Sequence, residues 1–388
     1  MIPYYKTKKG VLYYGDAVDI PTRIKPNSVH CVVTSPPYWG LRSYFSSDEN
    51  QLGLEKTPQL YIEHLVKIFS GIRKVLHPTG TVWLNINDTH CVPSTKREGE
   101  LGMKPGVSAK NLIGIPWRLA LALQADGWWL RCDIIWNKTN CLPEPVKDRP
   151  TRSHEYIFLL TKKAHYFYDN VAVYEKLQHG DHFAGNRQKI AIESGGMFKG
   201  GHDRKNKLTG KNRRSVWNIS TEPTTDPHYA AFPSKLAALC IKAGTPLKGC
   251  CSKCGNPIKR IVKDLDERHW TEKRADGDKW ATGKVWGRND GGGSFTNELS
   301  TIGWEATCKC CVKIIPCTVL DPFMGRGTVA LTAETLGRNW VGAELGEESC
   351  ELIKQNLTNR KVGLLPSTKI QDGLFKGDEI DIEIKGEK

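Results

Sequence analysis

Ser35, Pro36, Pro37 and Tyr38 follow a β-branched run, His30-Cys31-Val32-Val33-Thr34, and their types suit one kind of chemistry. Two consecutive prolines lack N–H groups and cannot continue strand pairing, so a strand here runs straight into a rigid loop. The Ser35 hydroxyl and the Pro36 carbonyl then become fixed hydrogen-bond acceptors, with the flat ring of Tyr38 beside them. Acceptors of that kind pull on the hydrogens of a poorly nucleophilic amino group, while the ring stacks on the heterocycle that carries it. Such a site works by positioning rather than through a covalent intermediate. A plain Pro-Pro turn after a buried strand is the alternative for these four residues taken alone.

A second segment, Val319–Thr328, reads as a strand, a Gly-rich turn and a helix start. Gly325 and Gly327 let the backbone approach a ligand closely, and the helix start offers free N–H groups. The next strand ends at Glu344, about 20 residues on, where an acidic side chain can accept from both hydroxyls of a ribose. The loop opens on Asp321-Pro322-Phe323, whereas a dinucleotide site prefers G-x-G-x-x-G. A carboxylate at Asp321 suits a cationic ligand with an amino group, such as S-adenosylmethionine, better than a pyrophosphate.

Thirteen cysteines are present, and six lie between Cys250 and Cys311. Cys251-x-x-Cys254 and Cys308-x-Cys310 supply four thiolates in two close pairs, the ligand set of a structural zinc site. Cys250 and Cys311 compete as ligands on spacing alone. Unliganded reduced thiols are the alternative, and the other cysteines read as buried or incidental.

These residues need elements to hold them. Apolar residues recur at helical spacing over Leu60–Leu76, where His77-Pro78-Thr79-Gly80 ends the helix. Further helices are expected over Ile115–Ala125, Phe232–Ala243, the segment up to Leu336, and Glu347 to Asn359. Strands are expected at Val11–Gly15, Thr81–Ile86, Leu130–Trp136, Glu155–Leu160, Thr318–Asp321 and Trp340–Glu344. The alternation predicts a Rossmann-like α/β fold, a mostly parallel sheet with helices on both faces. Ligands on such sheets lie beyond the carboxyl ends of strands, where Asp16, Ser35 and Asp88 would fall.

The expected division is a catalytic part over 1–174, a basic insert over 175–215, a return to the main domain over 216–249, a zinc-binding insert over 250–311, a cofactor part over 312–365 and a polar tail. The net charge of +14 points to a polyanionic partner. The segment Glu175–Arg214 holds ten Lys/Arg against four Asp/Glu, and Lys205, Lys207, Lys211, Arg213 and Arg214 are candidate phosphate contacts. A solvated basic loop is the bland alternative. No apolar run is long enough to span a membrane, and the N-terminus lacks the apolar stretch of a secretory signal, so a cytoplasmic protein is expected.

Taken together, several segments resemble the β-class of amino DNA methyltransferases, the N4-cytosine/N6-adenine methylases, in which the catalytic motif precedes the cofactor motif. They are Thr34–Trp39, Leu84–Asp88, Gly114–Trp117, Asp133–Trp136, Arg149–Leu160, Phe232–Leu236 and Leu320–Thr328. The resemblance implies a bacterial or phage-encoded enzyme that flips a base out of double-stranded DNA and methylates its amino group. Asp321, Pro322, Phe323, Gly325, Gly327, Thr328 and Glu344 would hold S-adenosylmethionine, with Asp16 near its adenine and the Phe232–Ile241 helix at its methionine end. Ser35 to Tyr38 would hold the target, and the basic insert falls near the place of the target-recognition region. Arg326 stands where the family has a small residue between the glycines. Ser35, in place of the commoner Asp or Asn, resembles the cytosine-N4 members, with adenine-N6 the alternative. A methyltransferase acting on RNA or protein is a rival, which the motif order opposes. A non-enzymatic zinc-bearing DNA-binding module is another, which the intact loops oppose. A cognate restriction endonuclease is a possible partner, and the chain could be monomer or homodimer.

Overall fold

The computed structural model describes residues 1–40, 51–91, 106–176, 210–222, 232–264, 299–310 and 313–359. Its strands, in chain order, are β1 (Ile2–Lys6), β2 (Gly10–Tyr14), β3 (Val29–Thr34), β4 (Leu76–Ile86), β5 (Trp129–Asn137), β6 (His154–Thr161), β7 (Glu175–Lys176), β8 (Gly210–Lys211), β9 (Val216–Asn218), β10 (Cys250–Cys251), β11 (Ile258–Asp264), β12 (Leu299–Ala306), β13 (Ile314–Ile315), β14 (Thr318–Asp321) and β15 (Asn339–Glu344). The α-helices are α1 (Pro58–Val75), α2 (Ile115–Ala125), α3 (Ser234–Gly244), α4 (Thr328–Thr335) and α5 (Glu347–Asn359).

Nine strands form one sheet in the order β1-β2-β15-β14-β3-β4-β6-β5-β9. Five pairings are parallel and three antiparallel, β6 running against both of its neighbours. β3 and β14 are adjacent and in register, Val32 opposite Leu320. Two segments at opposite ends of the chain therefore release their loops side by side.

Strand alternation assigns the faces. Val32, Val82, Leu84 and Leu320 join the core with Tyr61, Leu65, Phe69 and Ile72 of α1 and Leu119 and Leu123 of α2. Cys31, Thr81 and Trp83 point the other way, where α3 lies so close that a Cβ on Gly244 would sit 2.5 Å from Thr81 Oγ1. Helices thus cover both faces, as the alternation implied. The first strand also meets the last helix, Tyr4 Oη donating to Glu351 Oε2 at 3.1 Å and Tyr5 lying 3.2 Å from Thr358 Oγ1.

The strand expected at Thr81–Ile86 is longer: α1 ends at Val75, and β4 begins at Leu76 and runs through His77-Pro78-Thr79-Gly80. The register shifts between Val29 and Cys31, opposite Leu76 and Thr81, and this irregularity absorbs a proline that cannot donate to the ladder.

The chain forms two compact units, one of residues 1–169, 214–259 and 304–388, the other of 170–213 and 260–303. The first holds the nine-stranded sheet and the paired β10 and β13; the second holds the paired β7 and β8. The cysteine-rich segment is therefore divided, its two ends belonging with the sheet.

Candidate active site

The carboxyl ends of β3, β14 and β15 open on a cleft of about 1040 Å³. Ser35, Pro36, Pro37 and Tyr38 line it, and so do Asp16, Asp321, Pro322, Phe323, Gly325, Thr328 and Glu344. Gly327 does not line it. Its φ of +83° makes the turn into α4, and a Cβ there would sit 3.0 Å from Ile353 Cγ2.

The wall built by β14 and β15 holds two carboxylates. Asp321 is buried, and its Oδ1 accepts from Thr34 Oγ1 at 2.6 Å and from Phe323 N at 3.0 Å. That first bond ties the end of β3 directly to the end of β14. Burial pushes the Asp321 carboxyl up to about 8, the charge of Glu344 adding to the effect and the two hydrogen bonds opposing it. Glu344 accepts from Gly325 N at 2.9 Å, and from Leu345 N and Gly346 N at 3.1 and 3.2 Å. Burial raises its carboxyl, against the pull of those three amides. Asp16 caps the 3-10 helix Ala17–Arg23 by accepting from Val18 N. Phe232 lines the cleft just ahead of α3.

The opposite wall is made of side chains. Tyr61 Oη donates to the Pro37 carbonyl at 2.7 Å, fixing the loop, while no hydrogen bond from a described residue reaches the Pro36 carbonyl. Ser35 Oγ donates to Tyr38 Oη at 3.2 Å, and Tyr38 Oη donates to Glu155 Oε2 at 2.6 Å. Asn85 Nδ2 donates to the same carboxylate oxygen at 2.9 Å, and Lys138 Nζ to the other at 2.5 Å. Burial, with Glu155 alongside, holds the Tyr38 hydroxyl well above the usual phenol range. The Tyr38 ring is therefore pinned at its far end.

Lys138 and Glu155 were not singled out from the sequence, although both line the cleft. The available signal was a charge inside an apolar strand run: Glu155 is buried between His154 and Tyr156-Ile157-Phe158. Asp88, expected beyond a strand end, and Trp136, in a segment that carries the resemblance, do not line the cleft. Asp88 caps α2, accepting from Gly114 N at 3.0 Å and Ile115 N at 3.1 Å. Trp136 is buried, and its indole donates to the Ile219 carbonyl at 2.8 Å.

Of the candidate phosphate contacts, Lys205 and Lys207 lie outside the described residues. Lys211 sits in β8, and Arg213 donates to the Val173 carbonyl and lies 4.0 Å from Glu175. Arg213 is thus committed within its own unit, while Arg214 is exposed.

The sulfurs of Cys251, Cys254, Cys308 and Cys310 all lie within 4.8 Å of one another, an arrangement that fits a tetrahedral thiolate site. Cys250 is not part of it. It points instead toward His30 and Cys317, a buried group the sequence did not reveal. Cys311 lies outside the described residues. His30 Nδ1 accepts from Thr318 N at 3.1 Å and its Nε2 donates to the Gly255 carbonyl at 3.1 Å. His77 stacks on His30 and donates from Nε2 to the Cys254 carbonyl at 3.2 Å. Two imidazoles thus moor the Cys251–Gly255 turn to the starts of β3 and β4.

A family model described as DNA methylase, for the N6/N4 methyltransferases, matches residues 29–251 and 316–355. The chain belongs to the N6/N4 DNA methylase family. The match breaks around the segment that carries Cys254, Cys308 and Cys310. The methylase is 35% identical over 359 residues to the type II methyltransferase M.SmaI of Serratia marcescens, covering 89% of this chain and 90% of that one. It is 43% identical over 246 residues to M.Cfr9I of Citrobacter freundii, across 60% of this chain and 72% of the relative. Among solved structures, the PvuII DNA methyltransferase (cytosine-N4-specific) superposes with a TM-score of 0.53 at 16% identity, covering 93% of this chain and 90% of that one. At that identity the likeness carries the fold. The methylase's chemistry is the methylation of an exocyclic amino group in DNA. No helix among its described residues is long and apolar enough to cross a membrane.

Proposed function

We propose that this methylase transfers a methyl group from S-adenosylmethionine to N4 of a flipped-out cytosine in double-stranded DNA. The observation that carries the reading is the shared cleft: acceptors of the catalytic loop face the carboxylates of the cofactor loop, joined by the Thr34–Asp321 bond. S-adenosylmethionine supplies an activated methyl on a sulfonium. Its positive end suits the buried Asp321, which a cation would keep ionised. Glu344, its oxygens oriented by three backbone amides, is placed for ribose hydroxyls, and Asp16 and Phe323 for the adenine side. Ser35 Oγ and the Pro36 carbonyl accept the amino hydrogens and turn the nitrogen lone pair toward the methyl. The Tyr38 ring, held by its hydroxyl, forms a stacking face for the base.

Cytosine is favoured by Ser35, and cytosine-N4 specificity is what the PvuII enzyme is named for. The type II names of the sequence relatives support a role beside a cognate restriction endonuclease in a bacterial cytoplasm. Zinc at Cys251, Cys254, Cys308 and Cys310 would staple the turn that the two histidines hold, remote from catalysis in role. The basic segment around Lys205, Lys207, Lys211, Arg213 and Arg214 would serve phosphate contact.

The test is incubation of unmodified duplex DNA with labelled S-adenosylmethionine, followed by digestion to nucleosides and mass identification. N4-methylcytosine is expected; N6-methyladenine would move the target to adenine, and label in RNA or protein alone would overturn the reading. Metal analysis is expected to find one zinc per chain, and finding none removes the zinc assignment.

A further inference from the structure

The side-chain wall of the cleft holds a directed chain of hydrogen bonds that positioning a ring does not require. Lys138 Nζ donates to Glu155 Oε1, and Tyr38 Oη donates to Glu155 Oε2. Ser35 Oγ in turn donates its proton to Tyr38 Oη. Each hydroxyl has one proton to give: Ser35 gives its proton to Tyr38, and Tyr38 lies 2.6 Å from Glu155 Oε2, nearer than its second acceptor, Asn85 Oδ1, at 3.3 Å. Ser35 Oγ is left with lone pairs only for anything in the cleft. A serine without this chain could instead donate to a base nitrogen and would be an indifferent acceptor.

The anchor of the chain is itself specified. Glu155 is a buried carboxylate with a side-chain exposure of 7%, and Lys138 beside it is 22% exposed. A carboxylate left without partners at that depth would be costly, and here Lys138 and Asn85 both donate to it. The groups facing it come from three segments besides its own strand: Tyr38 from the catalytic loop, Asn85 from β4 and Lys138 from the loop that follows β5.

We propose that Glu155, acting through Tyr38, positions Ser35 as an acceptor and takes up the proton that the target nitrogen releases. This rests on the methyl-transfer reading above. As the N–C bond forms, the methyl's bond to the sulfonium breaks with its electron pair left on sulfur, so the positive charge moves to the amino nitrogen, which must lose one hydrogen. Its N–H bond breaks as a new O–H bond forms on Ser35. The serine's own proton passes to Tyr38 Oη, and the tyrosine's proton passes to Glu155 Oε2. The base ends neutral, both hydroxyls end as they began, and the carboxylate ends as the acid, which returns its proton to water after product leaves. No redox partner or metal is needed. Glu155 touches neither substrate nor cofactor, so it is a positioning residue; Ser35 is the group that meets the base.

The experiment is steady-state and single-turnover methylation of duplex DNA by the wild type, Glu155→Gln, Tyr38→Phe and the double variant. Cofactor affinity by calorimetry and thermal stability are measured on each. Tyr38→Phe keeps the stacking ring and removes only the hydroxyl, so it stands in if Glu155→Gln does not fold. We expect kcat to fall ~100-fold in either single variant, the low end of what a positioned proton acceptor contributes. KM for DNA and cofactor affinity should stay within about twofold, because the effect lies in the chemical step. The double variant should be no slower than the worse single, as one broken chain cannot be broken twice. Unchanged kcat in Tyr38→Phe and Glu155→Gln overturns the proposal while leaving the methylase reading intact. Losses that multiply in the double variant, or that follow KM or thermal stability, also overturn it by showing separate structural roles. A wild type that transfers no methyl group to DNA overturns both.

Discussion

The two walls of the cleft are built on different principles. On the cofactor side, four of the five hydrogen bonds to the carboxylates come from main chain: the amides of Gly325, Leu345 and Gly346 hold Glu344, and Phe323 N holds Asp321 together with the Thr34 hydroxyl. On the base side, side chains hold one another, from Ser35 through Tyr38 to Glu155, Asn85 and Lys138. Amides are fixed wherever the loop folds, so the first wall is preformed. The second depends on side chains from four separate segments being correct at once. Substitution should therefore separate the walls, binding failing on one side and turnover on the other.

The largest effect is expected at Ser35. Ser35→Ala should lower kcat ~1000-fold, the upper range for losing one aimed hydrogen-bonding group at a reacting centre. Cofactor affinity by calorimetry should stay within about twofold, and a parallel loss would mean that the walls are not separable. Asp321→Asn should do the reverse. Loss of a charge aimed at a cation is expected to weaken cofactor binding ~30-fold, about 2 kcal/mol. Duplex DNA binding, read by fluorescence anisotropy, should hardly change.

The same carboxylate supplies a pH test. With Asp321 raised to about 8, the empty protein carries it mostly protonated at neutral pH. A cation binds the ionised form, so the proton must leave. Cofactor affinity should strengthen as pH rises toward 8, by up to about tenfold per unit, and level off above it. In Asp321→Asn the calorimetric affinity should be flat over that range. A wild-type profile that is also flat would mean that Asp321 is not the group meeting the cation.

The smallest effect sharpens the idea that backbone shape builds the cofactor wall. Gly327→Ala places a Cβ at φ +83° and 3.0 Å from Ile353. It should cost about 1–2 kcal/mol in denaturant unfolding, and weaken the cofactor more than the base. Equal loss in both would argue that the loop supports the whole cleft.

The contrast also explains what was legible. Asp321, Gly325 and Glu344 lie within one strand-loop-helix-strand unit, where spacing along the chain is nearly spacing in space. Ser35 and Tyr38 announced themselves through the two prolines between them. Glu155 is 117 residues from Tyr38, and the two meet only because β6 runs antiparallel beside β4. An apolar strand run does not reveal its direction or its neighbours, so that network stayed hidden. The cysteine pairs were legible because their ligand spacing is local. Cys250 was not separable from Cys251 until the β10–β13 pairing turned it toward His30 and Cys317. Asp88, expected beyond a strand end beside Asp16 and Ser35, accepts from the amides at the start of α2, which its place in the sequence did not distinguish from a ligand role.

The adjacency of β3 and β14 has a consequence for how the gene can be cut. β1 touches α5 through Tyr4 and Tyr5, so the described ends of the fold lie side by side. A circular permutant with those ends linked and new ones opened between Asp264 and Leu299 would carry the cofactor strand β14 before the catalytic strand β3. Thr34 and Asp321 would still meet across the same two strands. The order of the two loops marks lineage, and the chemistry is indifferent to it.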